Sequence, residues 1–181
     1  PALIDGAGPL AERIEELPEA ITLADFARRF PGPFADCQAA FPALVSDRFH
    51  RPLRIRDRAR HHLGESRRVA RAVELLRRTT CDEPSREEID LLMRQLGQLI
   101  DESHQSLREL YEVTNAEVDQ LVEIISDPPG MVAGRRLMGG GFGGNVLVLC
   151  REDQVAPLIE HVQQRFYHPR GRVAMDEGSI M

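Results

Sequence analysis

Six consecutive residues, Gly139, Gly140, Gly141, Phe142, Gly143 and Gly144, hold five of the chain's 14 glycines. Glycine loses more backbone entropy on folding than any other residue, so so dense a cluster needs a local reason. Two fit. The tract can make a tight connection that requires positive φ angles, or it can bring main-chain N–H groups close to an anionic ligand, most often a phosphate. Gly139, Gly141 and Gly144 formally match the GxGxxG dinucleotide fingerprint. That fingerprint needs a strand before it and a helix after it, and here the apolar run Asn145-Val146-Leu147-Val148-Leu149 follows, which reads as a strand. A nucleotide P-loop is excluded because the chain contains no lysine to reach the β/γ-phosphates.

The other reactive side chains form no comparable constellation. Asp101, Glu102 and His104 are close in sequence, but helix neighbours one and two apart point away from each other, so no catalytic pair is expected. Ser103 and Ser106 lack the G-x-S-x-G elbow of a hydrolase nucleophile. The six histidines have no metal-ligand spacing, and Cys37, Cys81 and Cys150 contain no CxxC. Reduced thiols, and neither zinc nor any other metal, are expected.

The elements that must position the glycine tract are readable from caps and periodicity. Thr22-x-x-Asp25 predicts the start of a short helix running to Phe30, and Pro31-Gly32-Pro33 breaks the chain after it. Ile55, Ala59, Leu63, Ser66, Ala70, Val73 and Leu76 predict one inward stripe on a long helix. Ser85-x-x-Glu88 is a capping box before Ile89, Leu92, Leu96, Leu99 and Ile100. Thr114-x-x-Glu117 reads as a second one, with Val113 and Val118 as its hydrophobic staple. Asp127-Pro128-Pro129-Gly130 ends that helix. A strand over 132–138, the glycine connection, a strand over 145–150, a helix carrying Val155, Leu158, Ile159, Val162 and Phe166, and a strand near 172–175 complete the order. Helix, strand, strand, helix, strand is most of a split βαβ, ferredoxin-like unit. The expected class is therefore α+β, a small antiparallel sheet with packed helices plus an associated helical bundle.

Arg136-Leu137-Met138-Gly139-Gly140-Gly141-Phe142-Gly143-Gly144 resembles the third, C-terminal signature of the GHMP small-molecule kinases in its galactokinase form, with Met138 where that family usually has Thr. Residues 101–114, from Asp101-Glu102-Ser103-His104 to Tyr111-Glu112-Val113-Thr114, are similar to the family's ESH-x-S-[LM]-R segment. Arg58 to Val69 resembles its Arg-rich helix. The likeness runs in family order from about Leu23 to about Tyr167 and fades over Val173–Met181. It implies a Pro/Gly-rich segment over 1–42 and a GHMP kinase C-terminal domain over 43–181, helical over about 43–127 and α/β over about 128–181.

What the resemblance implies for function is an ATP-dependent kinase, with Mg²⁺, that phosphorylates the anomeric hydroxyl of galactose or a related sugar. The family's Gly-Glu-His-x-Asp and Pro-x-Gly-x-Gly-Leu-x-Ser-Ser motifs do not occur, and the chain begins at Pro1. The expectation is a C-terminal half whose partner is an absent N-terminal kinase domain. That absent domain would supply the catalytic residues and the tight nucleotide site. In this half, Gly139 to Gly144 would form a substrate- and phosphate-proximal wall; Phe142 would either pack beneath the loop or face the substrate. The alternatives are a non-catalytic sugar- or partner-binding module and a kinase for another sugar or alcohol.

Composition agrees with a soluble, cytoplasmic domain: 42% apolar and 29% charged residues, with no stretch long and apolar enough to span a bilayer. A net charge of −6 argues against nucleic acid as a general partner, although eleven arginines fall between Arg48 and Arg78. A solvated helix face, or one that pairs with acids on neighbouring helices, is the simpler reading. A domain cut from its partner is also expected to expose an apolar face that allows self-association.

Overall fold

A computed structural model of the chain describes residues 7–79 and 84–171. It divides into two compact units, Pro1–Gly64 and Glu65–Met181. The first contains helix α1 (Ala7–Glu15), strand β1 (Ile21–Thr22), helices α2 (Leu23–Arg29), α3 (Pro31–Ala40) and α4 (Pro42–Arg48), strand β2 (Pro52–Leu53) and the opening turns of α5 (Ile55–Thr79). β1 and β2 pair antiparallel, Ile21 opposite Leu53. Thr22 caps α2 as its spacing predicts: its hydroxyl accepts from the Asp25 N–H at 3.0 Å and donates to the Asp25 carboxylate at 2.7 Å. Pro31 and Pro42 occupy the first turns of α3 and α4, where the missing N–H costs nothing.

The second unit carries the remainder of α5, then α6 (Arg86–Ser106), a π turn (Leu107–Tyr111), α7 (Ala116–Ser126), β3 (Val132–Leu137), β4 (Val146–Cys150) and α8 (Glu152–Val162). A second π turn (Gln163–Tyr167) and a 3₁₀ turn (His168–Arg170) follow. The strand expected near 172–175 and Cys81 lie outside the described residues. β3 and β4 are antiparallel, with Arg135 opposite Val148, Leu137 opposite Val146 and an irregularity between Val132 and Gly134. The α+β class is as expected, mostly helical with two small antiparallel sheets.

Two apolar clusters hold this unit together. One joins Leu107, Val113, Val118, Val122 and Leu137; the other joins Ile125, Leu158, Val162 and Phe166, with Val146, Val148 and Cys150 of β4 against it. The face of α8 predicted to be apolar is thus the buried one. Ser85 and Glu88 form the predicted capping box of α6, at 3.3 and 2.8 Å. The cap of α7 is one residue later than predicted. Asn115, not Thr114, accepts from the N–H three residues on, that of Val118, at 2.9 Å. Asn and Thr are both good N-caps, and Asn115 has a second bond, described below, that Thr114 does not.

The stripe predicted for α5 is also rotated. Ser66, Val73 and Leu76 are exposed, whereas Glu65, Arg68, Ala72 and Leu75 share the more buried face. The polar network around Glu65 turns that face inward, and apolar counting alone cannot see this. Several of the clustered arginines pair with carboxylates: Arg54 with Asp57 at 2.6 Å, Arg60 with Glu15 and Asp57, Arg68 with Glu65 at 2.6 Å, and Arg71 and Arg78 with Glu74 at 2.7 Å each. No helix among the described residues is long and apolar enough to cross a membrane.

Candidate functional site

The glycine tract connects β3 to β4, and the Met138 N–H closes it by bonding to the Asn145 carbonyl at 2.9 Å. Gly139, Gly141, Gly143 and Gly144 have φ of 84°, 92°, 139° and 110°, in the region that side chains rarely enter. Gly140 is free of that demand. A Cβ on Gly141 would lie 2.5 Å from the Val113 Cβ and 2.7 Å from its carbonyl oxygen, so the loop rests directly on Val113. A Cβ on Gly139 or Gly140 would meet nothing within 4 Å. The tract therefore combines positive φ at four positions, close approach to Val113 at Gly141, and exposed backbone at Gly139 and Gly140.

Phe142 sits at the tip with φ 60° and its side chain outward, 74% exposed. It does not pack beneath the loop. Its backbone is held instead: the N–H donates to the Val113 carbonyl at 2.6 Å, and the carbonyl accepts from Asn115 Nδ2 at 3.0 Å. Met138, at the loop's entrance, is also exposed.

Behind the loop, α6 lies along the outer edge of β3. Met138 bonds toward β4, so the alternate amides of Arg135 and Leu137 point to the opposite edge. The Arg135 N–H donates to Asp101 Oδ1 at 2.8 Å, while its guanidinium meets Asp101 Oδ2 at 2.8 Å. The Leu137 N–H donates to His104 Nδ1 at 3.3 Å. Asp101 and His104 are three apart and share a helix face, a relation that attention to steps of one and two passes over. Four residues before Asp101, Gly97 touches β3 backbone to backbone.

Because Nδ1 accepts, His104 carries its proton on Nε2. Burial pushes the imidazole below its usual 6.5; the Asp119 and Asp101 charges oppose this, and Arg108 and Arg135 reinforce it. His104 is thus a neutral structural acceptor, with Nε2 buried and without a hydrogen-bond partner among the described residues.

Glu65 ties α5 to both elements. Its carboxylate accepts from Ser103 Oγ at 2.8 Å and from Arg68 at 2.6 and 2.8 Å, and Arg136 Nη1 lies 3.5 Å away. Burial pushes its carboxyl up, but the bonds from Arg68 and Ser103 and the charges of Arg68 and Arg136 outweigh that and hold it below its usual 4.5. Ser103 is therefore engaged as a donor to Glu65. Among the described residues no group of three or more His, Cys, Asp and Glu side chains could hold a metal ion, and Cys37 and Cys150 are free thiols.

The arrangement can present main-chain N–H groups on a bare surface whose position is fixed from behind by Asp101, His104 and Glu65 and from below by Val113 and Asn115. Asn115, Gly97 and Gly134 were missed by sequence reasoning. A lone glycine inside a helical pattern and another inside a strand were the available signals for close backbone approach.

Residues 87–168 match the family model described as GHMP kinases C terminal. The galactokinases of Bos taurus and Homo sapiens are 40% and 41% identical over 110 and 109 residues, covering 61% and 60% of this chain. That of Thermotoga maritima is 35% identical over 116 residues. The chain spans about a quarter of the length of these relatives, 25%, 24% and 29%. The crystal structure of Lactococcus lactis galactokinase complexed with galactose superposes with a TM-score of 0.52 at 31% identity, over 66% of this chain and 28% of that one. Residues 87–168 of this chain thus match the C-terminal domain model of the GHMP kinases and are similar to the corresponding part of galactokinases.

Proposed function

We propose that this chain is the C-terminal part of an ATP-dependent sugar kinase of the galactokinase type, and that Gly139 to Gly144 form one wall of its active site. The observation that carries the reading is the contrast within the tract. Gly139 and Gly140 present backbone into open space, while Gly141 and Phe142 are locked to Val113 and Asn115. A loop that served only to connect β3 to β4 would have no need for a bare, exposed Gly140 with ordinary φ.

Phosphoryl transfer depends chiefly on positioning and charge stabilisation. Fixed N–H groups at the tract can donate to oxygens on which negative charge develops, at no reorganisation cost during the reaction. The nucleotide and Mg²⁺, when bound, supply the transferable phosphoryl group and neutralise its charge. The base, the main phosphate loop and the metal ligands belong in this reading to an N-terminal domain. The exposed Met138 and Phe142 beside the tract are then apolar surface for substrate or partner domain to cover.

Gly140→Val in the full-length kinase is the test. This position has neither positive φ nor a neighbour within 4 Å of an added Cβ, so folding is retained and only the open face is blocked. Turnover should fall at least about tenfold, the effect of losing roughly 1.4 kcal/mol of transition-state stabilisation. Wild-type turnover would refute the active-site role. Gly141→Val cannot serve, because its clash with Val113 would disturb the fold as well.

A further inference from the structure

We propose that Asn115 is a positioning residue for the glycine loop: one carboxamide caps helix α7 with its oxygen and holds the loop tip with its nitrogen. The proposal rests on the reading of the loop as an active-site wall. Oδ1 accepts from the Val118 N–H at 2.9 Å, and Nδ2 donates to the Phe142 carbonyl at 3.0 Å. Both partners are main-chain groups of fixed polarity, so only this orientation of the amide satisfies both. The same side chain also lies beneath Gly143, whose added Cβ would be 3.7 Å from Nδ2.

The loop tip depends on this contact because little else holds it. Phe142 is not a glycine, yet it keeps φ at 60°, a conformation that persists only where surroundings impose it. Its ring is 74% exposed and contributes little anchoring. The Val113 carbonyl and the Asn115 amide satisfy both backbone groups of Phe142 from one short segment at the start of α7. Removing the amide nitrogen leaves one bond. The tip then samples other conformations, and the fraction of molecules with the Gly139 and Gly140 amides in place falls.

Asn115→Asp and Asn115→Ser separate the two duties, since Asp and Ser cap helices about as well as Asn but cannot donate to Phe142 when the carboxylate is ionised or the side chain is too short. In the full-length kinase, both should keep the unfolding midpoint, speed amide hydrogen exchange at Phe142 and Gly143, and lower kcat roughly three- to tenfold, the effect of one net hydrogen bond. The sugar KM should stay within about a factor of two, because the interaction acts through loop placement, not uniform binding. Unchanged exchange, or faster exchange with wild-type kcat, would overturn the inference. Gly140→Val measured alongside separates the failures. If that variant loses turnover while both Asn115 variants keep it, the inference about Asn115 fails alone. If Gly140→Val retains turnover, the active-site reading of the loop fails, and this inference with it.

Discussion

Gly97 of α6 and Gly134 of β3 touch through their backbones: a Cβ on Gly134 would stand 2.4 Å from the Gly97 carbonyl oxygen, and one on Gly97 only 1.8 Å from the carbonyl oxygen of Ala133. No side chain fits between helix and strand at this crossing. From it, successive helix positions meet alternate strand residues, Asp101 at Arg135 and His104 at Leu137, and the next residue, Met138, opens the glycine loop. The crossing therefore fixes the point from which the loop departs.

Gly97→Ala and Gly134→Ala should each destabilise the domain by about 3 kcal/mol or more, since rigid backbone on both sides cannot yield to the added methyl. Gly140→Ala, with nothing near its Cβ, should be close to neutral. Urea unfolding compares the three; equal stability across them would show that the backbone contact at the crossing does not exist.

His104 predicts a stability slope in mild acid. Its folded pKa lies below the usual 6.5, so between these values the unfolded chain binds the proton and the folded one does not. The contribution is complete above about pH 6.5 and is lost as pH falls from there toward the folded pKa, by up to about 1.4 kcal/mol per pH unit. His104→Gln should flatten this slope while retaining an acceptor for the Leu137 N–H. An unchanged slope would place the titration on another group.

Glu65 behaves in the same sense, in a lower range. Its folded pKa is depressed below 4.5, so its contribution is present above that value and is lost as pH falls through the folded pKa. Glu65→Gln should cost about 1 kcal/mol at neutral pH, a figure kept small because the carboxylate is partly solvated, and the difference from wild type should shrink in acid. A pH-independent difference would mean that packing, not the charge shared with Arg68 and Arg136, carries the effect.

Asn115→Ala should cost about 1 kcal/mol through the lost cap of α7, whereas Asn115→Ser should be near neutral in stability. Thr114→Ala should have little effect on the helix. If instead Thr114→Ala carried the loss, the cap would sit where the Thr114-x-x-Glu117 spacing first suggested.

Local signals read well where the chain's own neighbours decide the outcome. Thr22 with Asp25 and Ser85 with Glu88 are caps made within four residues, and both form as their spacing implies. The strand after the glycine tract follows from its apolar run, and the buried face of Leu158, Val162 and Phe166 from helical spacing. Legibility ends where a distant partner decides. Asn115 takes the cap from Thr114 because Phe142, 27 residues on, offers its amide a second bond. The inward face of α5 is set by Glu65 meeting Ser103, 38 residues away, so Val73 and Leu76 stay outside. Within the candidate site, the tract was conspicuous from its glycines, but the residues that hold it came only from the three-dimensional arrangement. Sequence alone left Phe142 undecided between packing beneath the loop and facing the substrate; its side chain is exposed and does not pack beneath the loop.

The central claim, that the glycine tract is one wall of a sugar kinase's active site, is tested most directly by a crystal structure of the full-length protein with a non-hydrolysable nucleotide and a sugar bound. The account predicts the Gly139 and Gly140 backbone in van der Waals contact, within roughly 4 Å, of the sugar or the terminal phosphate. A tract separated from both ligands by bulk solvent, with the ligands fully bound, would contradict it.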